Sequence, residues 1–521
     1  MTAIPLTAEG EEFAALHPRL ILGGRYFWAL LIYSIVLLLI TGAIAVRRHL
    51  WWDEIDVYYI AGQPFDVIFR SLASGLDWQP PTYYIPLHYL VKWFGTTPFV
   101  LRSIAIFPYW LATLVVYFAV ARSTAPVYGF LAMLFPSLTL AFVYSFEARP
   151  YALVLLSSAC AFLAWQLTHE KGARRFALPA LSISLAAGFS IHYSACLAAL
   201  PFLAGEAILA VRRRAFDFPV LLSICGGAFP VVFLLSNILA HRNYGGVPAG
   251  ASLIARLGAT YEALFALPTL LSFGMLAVLA VWLALPRKDS RQQILMSDFQ
   301  SLPLAVAGMF LLIPVVFCVV SHFTQTYYPR YVLETVIGAA FFLAFAAHGV
   351  RRAMPHLASV LVVILIAAVL FAGLKRIRTP DESAWGTFAF YADLFNRNTK
   401  AVYDSQYPLL LGQGSYLLAL RYGDAELRDR AFHPLGEPGV TATAFALSDR
   451  QGYKALERLD PGIHVPDYGS FKREHSHFLM YDPDQWVIDR LVAEGEEVKI
   501  CATLLQRPLY EVIVRSGLGR M

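Results

Sequence analysis

Apolar residues gather in eleven long runs separated by short polar stretches, at 26–46, 98–120, 127–143, 151–168, 176–191, 193–211, 219–240, 266–285, 302–321, 331–349 and 356–374. A hydrocarbon core of about 30 Å takes about 20 helical residues at about 1.5 Å each, so the runs predict transmembrane helices. The pattern changes near Lys375. Beyond it, strand-like stretches at 400–403, 477–481, 498–504 and 509–515 and a helical stretch at 484–493 predict a small α/β unit. The expected fold is an all-α polytopic membrane body of about eleven or more helices, residues 1–375, with a soluble α/β domain, residues 376–521.

Charge sharpens this division. Only 15% of the 521 residues are charged and 58% are apolar, whereas soluble domains carry about 25% charged residues. Residues 1–375 hold 24 Lys/Arg and 16 Asp/Glu, while the shorter remainder holds 17 and 20. The net charge of +5 therefore comes from loop arginines at a membrane surface, and nucleic acid is not an expected partner. Cys160, Cys196, Cys225 and Cys318 lie in apolar runs and Cys501 in the tail, so neither a disulfide framework nor a metal-ligand spacing is present. The polar start and the length of the first run predict a retained signal anchor.

Lys and Arg in short loops stay cytoplasmic. Arg19 and Arg25, Arg122, Lys171 with Arg174 and Arg175, Arg212 to Arg214, Arg287 with Lys288 and Arg291, and Arg351 with Arg352 fall on one side. That side is read as the cytoplasm, together with the N-terminus. Loops 47–97, 241–265 and 322–330 and the tail are then outside, with Arg47 and Arg48 interfacial. The first outer loop carries Trp51, Trp52, Tyr58, Tyr59, Trp78, Tyr83, Tyr84, Tyr89 and Trp93. Such a composition predicts amphipathic segments in the headgroup layer.

Acidic residues are rare in the body, and an ionisable group at membrane depth is a functional hypothesis by default. Asp53 and Glu54 follow the first run, where a carboxylate in an aromatic setting suits a general base; an ordinary interfacial charge cluster ending a helix is the competing reading. Glu147 and Arg149 lie between the third and fourth runs and are, taken singly, a structural ion pair. Arg330 and Tyr331 and the pair His192-Tyr193 fall at the same expected side, so carboxylate and cationic groups converge in the pattern. Guanidinium presents a planar fork to phosphate oxygens, which suits a lipid-linked phosphate; a snorkelling side chain is the alternative for Arg330. His192 taken alone is more often a satisfied interfacial histidine than a catalyst, and His88 is similarly ambiguous.

The order Trp52-Asp53-Glu54, Trp78-Gln79-Pro80-Pro81-Thr82-Tyr83-Tyr84 with His88, Ser145-Phe146-Glu147-Ala148-Arg149-Pro150-Tyr151, His192-Tyr193 and Pro329-Arg330-Tyr331 resembles the GT-C membrane glycosyltransferases over roughly residues 20–350. It is most similar to the bacterial branch related to protein O-mannosyltransferases and the lipid A aminoarabinose transferase. The chain departs from that pattern at Phe146, where Gln is usual, and at Gln79, where His is usual. The resemblance implies an inverting transfer of a hexose or pentose from a polyprenyl-phosphate donor to an acceptor at the outer face of a bacterial inner membrane. That acceptor would be an envelope glycolipid such as lipopolysaccharide, a polysaccharide or a protein. It further implies Asp53 as base with Glu54 beside it, Glu147 lining the site, and Arg330, with Arg149 second, near the donor phosphate. His88, His192, Tyr193 and Tyr331 complete the expected substrate-binding set. Paired carboxylates also suit a divalent cation, but with cationic residues already in the set no obligatory metal is expected. No nucleotide-binding glycine fingerprint is present.

Two other classes compete. A transporter or flippase of lipid-linked saccharides would place charges in mid-span and relate its two halves, which this pattern does not. A lipid-binding scaffold without catalysis would have no need to keep Asp53 and Glu147.

Overall fold

A computed structural model describes residues 23–240, 252–265, 302–324, 326–351, 354–379, 407–436, 444–460, 462–504 and 507–515. Seven helical segments among them are long and apolar enough to cross a membrane: Arg25–Arg47, Pro98–Ala121, Tyr151–Thr168, Tyr193–Arg213, Phe218–Leu235, Leu302–Thr324 and Leu357–Arg378. The expected span 266–285 and the strand-like stretch 400–403 lie outside the described residues. Three further runs differ from a simple span, each for a visible reason.

The run 127–143 is broken. Pro126 opens a helix that ends at Leu134, a 3-10 turn follows at Phe135–Leu138 around Pro136, and Thr139 caps the short helix Leu140–Val143 by accepting the amide of Ala141 at 3.2 Å. Proline removes a backbone donor and Thr competes for the next one, so the ladder cannot run through. The run 331–349 begins with the 3-10 turn Pro329–Val332 and becomes α-helical only over Thr335–Gly349. Those 15 residues span about 22 Å. Most are buried, as expected of a helix that is apolar all round. The run 176–191 is helical over Arg174–Ile191 with Pro179 inside it, but is not among the seven. The stretch 241–265, read from sequence as a loop, contains the helix Leu253–Leu264.

Two compact units result. The first comprises Met1–Thr41, Ile104–Leu239 and Gly246–Gly373. Within it the helices Tyr151–Thr168 and Arg174–Ile191 form a hairpin whose close approach places Gly188 against Ser157, where a Cβ would collide with the hydroxyl. Phe162 stacks on Phe341 at 3.9 Å between centroids, tying that hairpin to the buried helix Thr335–Gly349.

The second unit comprises Gly42–Ser103, Ala240–Gly245 and Leu374–Met521, so the long loop after the first span groups with the C-terminal region. Its sheet has the order β2-β1-β3-β5-β4, with β1 Leu409–Leu411, β2 Ala431–Phe432, β3 His477–Tyr481, β4 Glu497–Leu504 and β5 Arg507–Ile513. Strand β1 runs parallel to β2 and β3, and β5 pairs antiparallel with β3 and β4. Leu410, Phe471, Phe478, Met480, Val487, Leu491 and Val512 form its core, with the helix Gln485–Ala493 laid on the sheet.

The loop helices are Trp52–Ala61, Phe65–Ala73 and Pro81–Phe94. The first packs on the helix Gln413–Tyr422. There the Leu50 amide donates to the Tyr422 hydroxyl at 2.6 Å, and the Arg421 guanidinium lies 4.5 Å from the Tyr58 ring. Phe69, Tyr89, Trp93 and Phe94 remain exposed.

Candidate active-site residues in two units

The residues singled out by sequence divide between the units, and each group is described by itself. In the second unit, Asp53 and Glu54 occupy the first turn of the helix Trp52–Ala61. A helix N-terminus stabilises negative charge there. Glu54 reaches back to accept the Trp51 amide at 3.3 Å, the acidic half of a capping box. Its carboxylate also meets Arg102, with Nε donating to Oε1 at 2.8 Å and Nη2 to Oε2 at 2.6 Å, and both side chains are 0% exposed. Glu54, expected beside the base, is thus committed to a buried ion pair, whereas Asp53 is only half-buried. Arg48, expected at the interface, is buried as well.

His88 places Nδ1 3.1 Å from the Ala61 carbonyl and its ring 4.6 Å from that of Phe65. That contact caps the end of the helix Trp52–Ala61, a structural use of the imidazole. Asp77, which the sequence reading passed over, is buried and accepts the Trp78 amide at 2.8 Å and the Tyr84 hydroxyl at 2.5 Å.

In the first unit, the broken run delivers the segment Ser145 to Arg149 into a buried turn, closed by the Arg149 amide donating to the Glu147 carbonyl at 2.7 Å. Glu147 is 0% and Arg149 4% exposed. Tyr151 follows on the next helix, 4.5 Å from the Tyr144 ring, 5.2 Å from His192 and 6.5 Å from Tyr331. His192 lies 4.7 Å from Tyr331. Arg330 covers the Tyr328 ring at 4.7 Å and the Tyr331 ring at 6.0 Å.

His192 leaves the helix Arg174–Ile191 in extended conformation and accepts the Ser194 amide at Nδ1 over 3.3 Å. The Ser194 hydroxyl stands 2.7 Å from the same nitrogen and donates to the Tyr331 carbonyl at 2.5 Å. Burial, and then the charges of Arg149 and Arg330, hold the imidazole at about 3, far below its ordinary value. Two guanidinium groups thus bear on one neutral ring. Glu147, Arg149, Arg330, His192 and Tyr331 therefore belong to one neighbourhood, while Tyr193 opens the adjoining 3-10 turn half-buried.

Besides Asp77, sequence reasoning missed three polar residues. Arg102 hides inside the second apolar run, Ser194 follows a histidine that drew the attention, and Glu334 opens the helix Thr335–Gly349. Glu334 is 0% exposed, and neither carboxylate oxygen has a hydrogen-bond partner among the described residues. Each was detectable as an isolated charge or hydroxyl in an apolar run. Among the described residues no three His, Cys, Asp or Glu side chains assemble into a metal-binding group.

No family model and no curated protein matches the chain. Among solved structures it aligns with ArnT from Cupriavidus metallidurans bound to undecaprenyl phosphate, over 96% of this chain and 100% of that one, at 13% identity and a TM-score of 0.52. ArnT from the same organism in the apo state aligns over 93% of this chain and 98% of that one, at 13% identity and a TM-score of 0.42. At such identity the first likeness is one of fold: the helical membrane body with its small C-terminal sheet is built as in ArnT, the lipid A aminoarabinose transferase, and has the GT-C fold.

Proposed function

We propose that this chain is a glycosyltransferase of the bacterial cytoplasmic membrane that moves a sugar from a polyprenyl-phosphate donor to an acceptor hydroxyl, with inversion at the anomeric carbon. The observation that carries the reading is the aromatic cluster of Tyr151, His192 and Tyr331 with the Arg330 guanidinium lying over Tyr328, within the electrostatic reach of both Arg149 and Arg330. Two permanent cations acting on one site suit a phosphodiester, and the fold is shared with a protein crystallised with undecaprenyl phosphate.

Asp53 takes the proton of the acceptor hydroxyl as that oxygen bonds to the anomeric carbon. The bond from that carbon to the phosphate oxygen breaks, and the electron pair leaves with polyprenyl phosphate. Arg330 and Arg149 offset the growing charge, and Glu147 lines the donor end. Asp53 is half-buried in the first turn of the helix Trp52–Ala61, where that helix terminus favours its charged form, and its neighbour Glu54 is held in a buried ion pair with Arg102. The N-terminus is cytoplasmic in this reading, transfer takes place at the outer face, and the acceptor is an envelope glycolipid such as lipopolysaccharide, a polysaccharide or a protein.

The test is native mass spectrometry of the purified protein in mild detergent, with undecaprenyl phosphate and undecaprenyl-phosphate sugars added. Retention of these lipids by wild type, loss in Arg330→Ala, and release of undecaprenyl phosphate on adding acceptor are expected. Sugar lipid carried across vesicles without cleavage would replace the transferase with a flippase.

A further inference from the structure

Arginine 102 lies in the apolar helix Pro98–Ala121, yet it is 0% exposed and every N–H of its guanidinium has an acceptor. Two bonds go to Glu54, Nε to Oε1 at 2.8 Å and Nη2 to Oε2 at 2.6 Å. Three go to backbone: Nη1 to the carbonyls of Ala45 and Arg48, each at 2.7 Å, and Nη2 to the carbonyl of His49 at 2.8 Å. Those carbonyls belong to the end of the first-span helix and the residues just past it, where a helix leaves acceptors without intrahelical partners. Glu54 in turn holds the Trp51 amide at the start of the next helix. One guanidinium therefore fixes the exit of one helix, the connection 48–51 and the first turn of the helix bearing Asp53.

We propose that Arg102 is the positioning residue for Asp53, a reading that rests on the base role given to Asp53 above. Stability alone does not account for the pair, because a buried ion pair is commonly replaced by apolar side chains at no loss. Geometry does account for it. Lysine would bring three donors on a flexible stem and no planar fork, so it cannot hold two carboxylate oxygens and three carbonyls together. Asp53 immediately precedes the locked Glu54, so freeing Glu54 lets the first turn, and the carboxylate it carries, shift against the acceptor. A displacement of about 1 Å at a reacting group costs about a hundredfold in rate.

The test compares full-length wild type, Arg102→Lys, Asp53→Asn and the double variant in detergent, with Glu54→Gln as a second means of opening the lock should Arg102→Lys fail to fold. Hydrogen exchange over residues 48–56 is read first, and about tenfold faster exchange there in Arg102→Lys, with the rest of the first span unchanged, is expected. Release of undecaprenyl phosphate from a panel of undecaprenyl-phosphate hexoses and pentoses is read second. For Arg102→Lys, kcat should fall about a hundredfold with donor KM within about twofold, and the double variant should be no slower than Asp53→Asn. Unchanged exchange, an unchanged kcat in a folded variant, or losses that multiply in the double variant would each overturn the positioning role. Full activity in Asp53→Asn would instead remove the base assignment, and the exchange result would still decide whether Arg102 holds the turn.

Discussion

Protonating His192 should weaken the first unit in a defined pH window. The imidazole is fully buried, and burial with the charges of Arg149 and Arg330 holds it at about 3, against 6.5 for a free histidine. The unfolded chain therefore binds a proton at this residue between those values and the folded chain does not. Stability from this group is fully present above pH 6.5 and falls as the pH drops below it. From pH 8 to pH 5 the loss works out at about 2 kcal/mol, or about thirtyfold in the folded-to-unfolded ratio, and it depends only on the folded value lying well below 5. The assay is thermal unfolding in detergent at pH 8, 6.5 and 5, with wild type beside His192→Gln, which keeps a polar side chain that does not titrate. The wild-type midpoint should drop by several degrees more than that of the variant over this range. A bound phosphate would offset the arginines, so saturating undecaprenyl phosphate should shrink the difference. Parallel pH profiles for wild type and His192→Gln would refute the reasoning, since they would mean the ring is not held neutral by its neighbours.

Three further outcomes are expected. Asp53→Asn should lower kcat by about a hundredfold to ten-thousandfold while leaving undecaprenyl-phosphate binding within about twofold, because a missing base removes an interaction made only in the transition state; equal loss of binding and turnover would point to a structural role. Arg330→Ala should weaken retention of undecaprenyl phosphate by about tenfold to a hundredfold, the worth of one charge-assisted contact, as read by lipid titration; unchanged retention removes it from the phosphate site. Phe471→Ala, at a position 0% exposed in the core of the C-terminal sheet, should destabilise that region by about 3–5 kcal/mol, measured as protease sensitivity of residues 407–515. Wild-type resistance there would contradict the packing.

Hydrophobic runs alone revealed a membrane body and a distinct tail, because run length against bilayer thickness is a one-dimensional quantity. Charge in short loops likewise suggested a sidedness, and the order of Asp53, Glu147, His192 and Arg330 suggested the fold now seen in the likeness to ArnT. The same one-dimensional view misjudged the run 127–143, whose hydropathy is continuous while Pro136 and Thr139 break its hydrogen-bond ladder. Nor does it reach the packing of the helix Trp52–Ala61 against Gln413–Tyr422, across more than 350 residues of sequence.

What the sequence determined by itself was which residues prefer lipid or water and which rare charges stand out against that background. What only the tertiary structure decided was how those charges are used. Glu54 and Asp53 are neighbours with the same chemistry, yet Glu54 is fully buried against five-donor Arg102 while Asp53 is only half-buried. His192 reads as an ordinary histidine until Arg149 and Arg330 are brought to its side, and Glu334 reads as a helix-start carboxylate until burial leaves both its oxygens without a hydrogen-bond partner among the described residues. Burial and partnership depend on contacts between residues far apart in the chain, and those arise only once the helices pack.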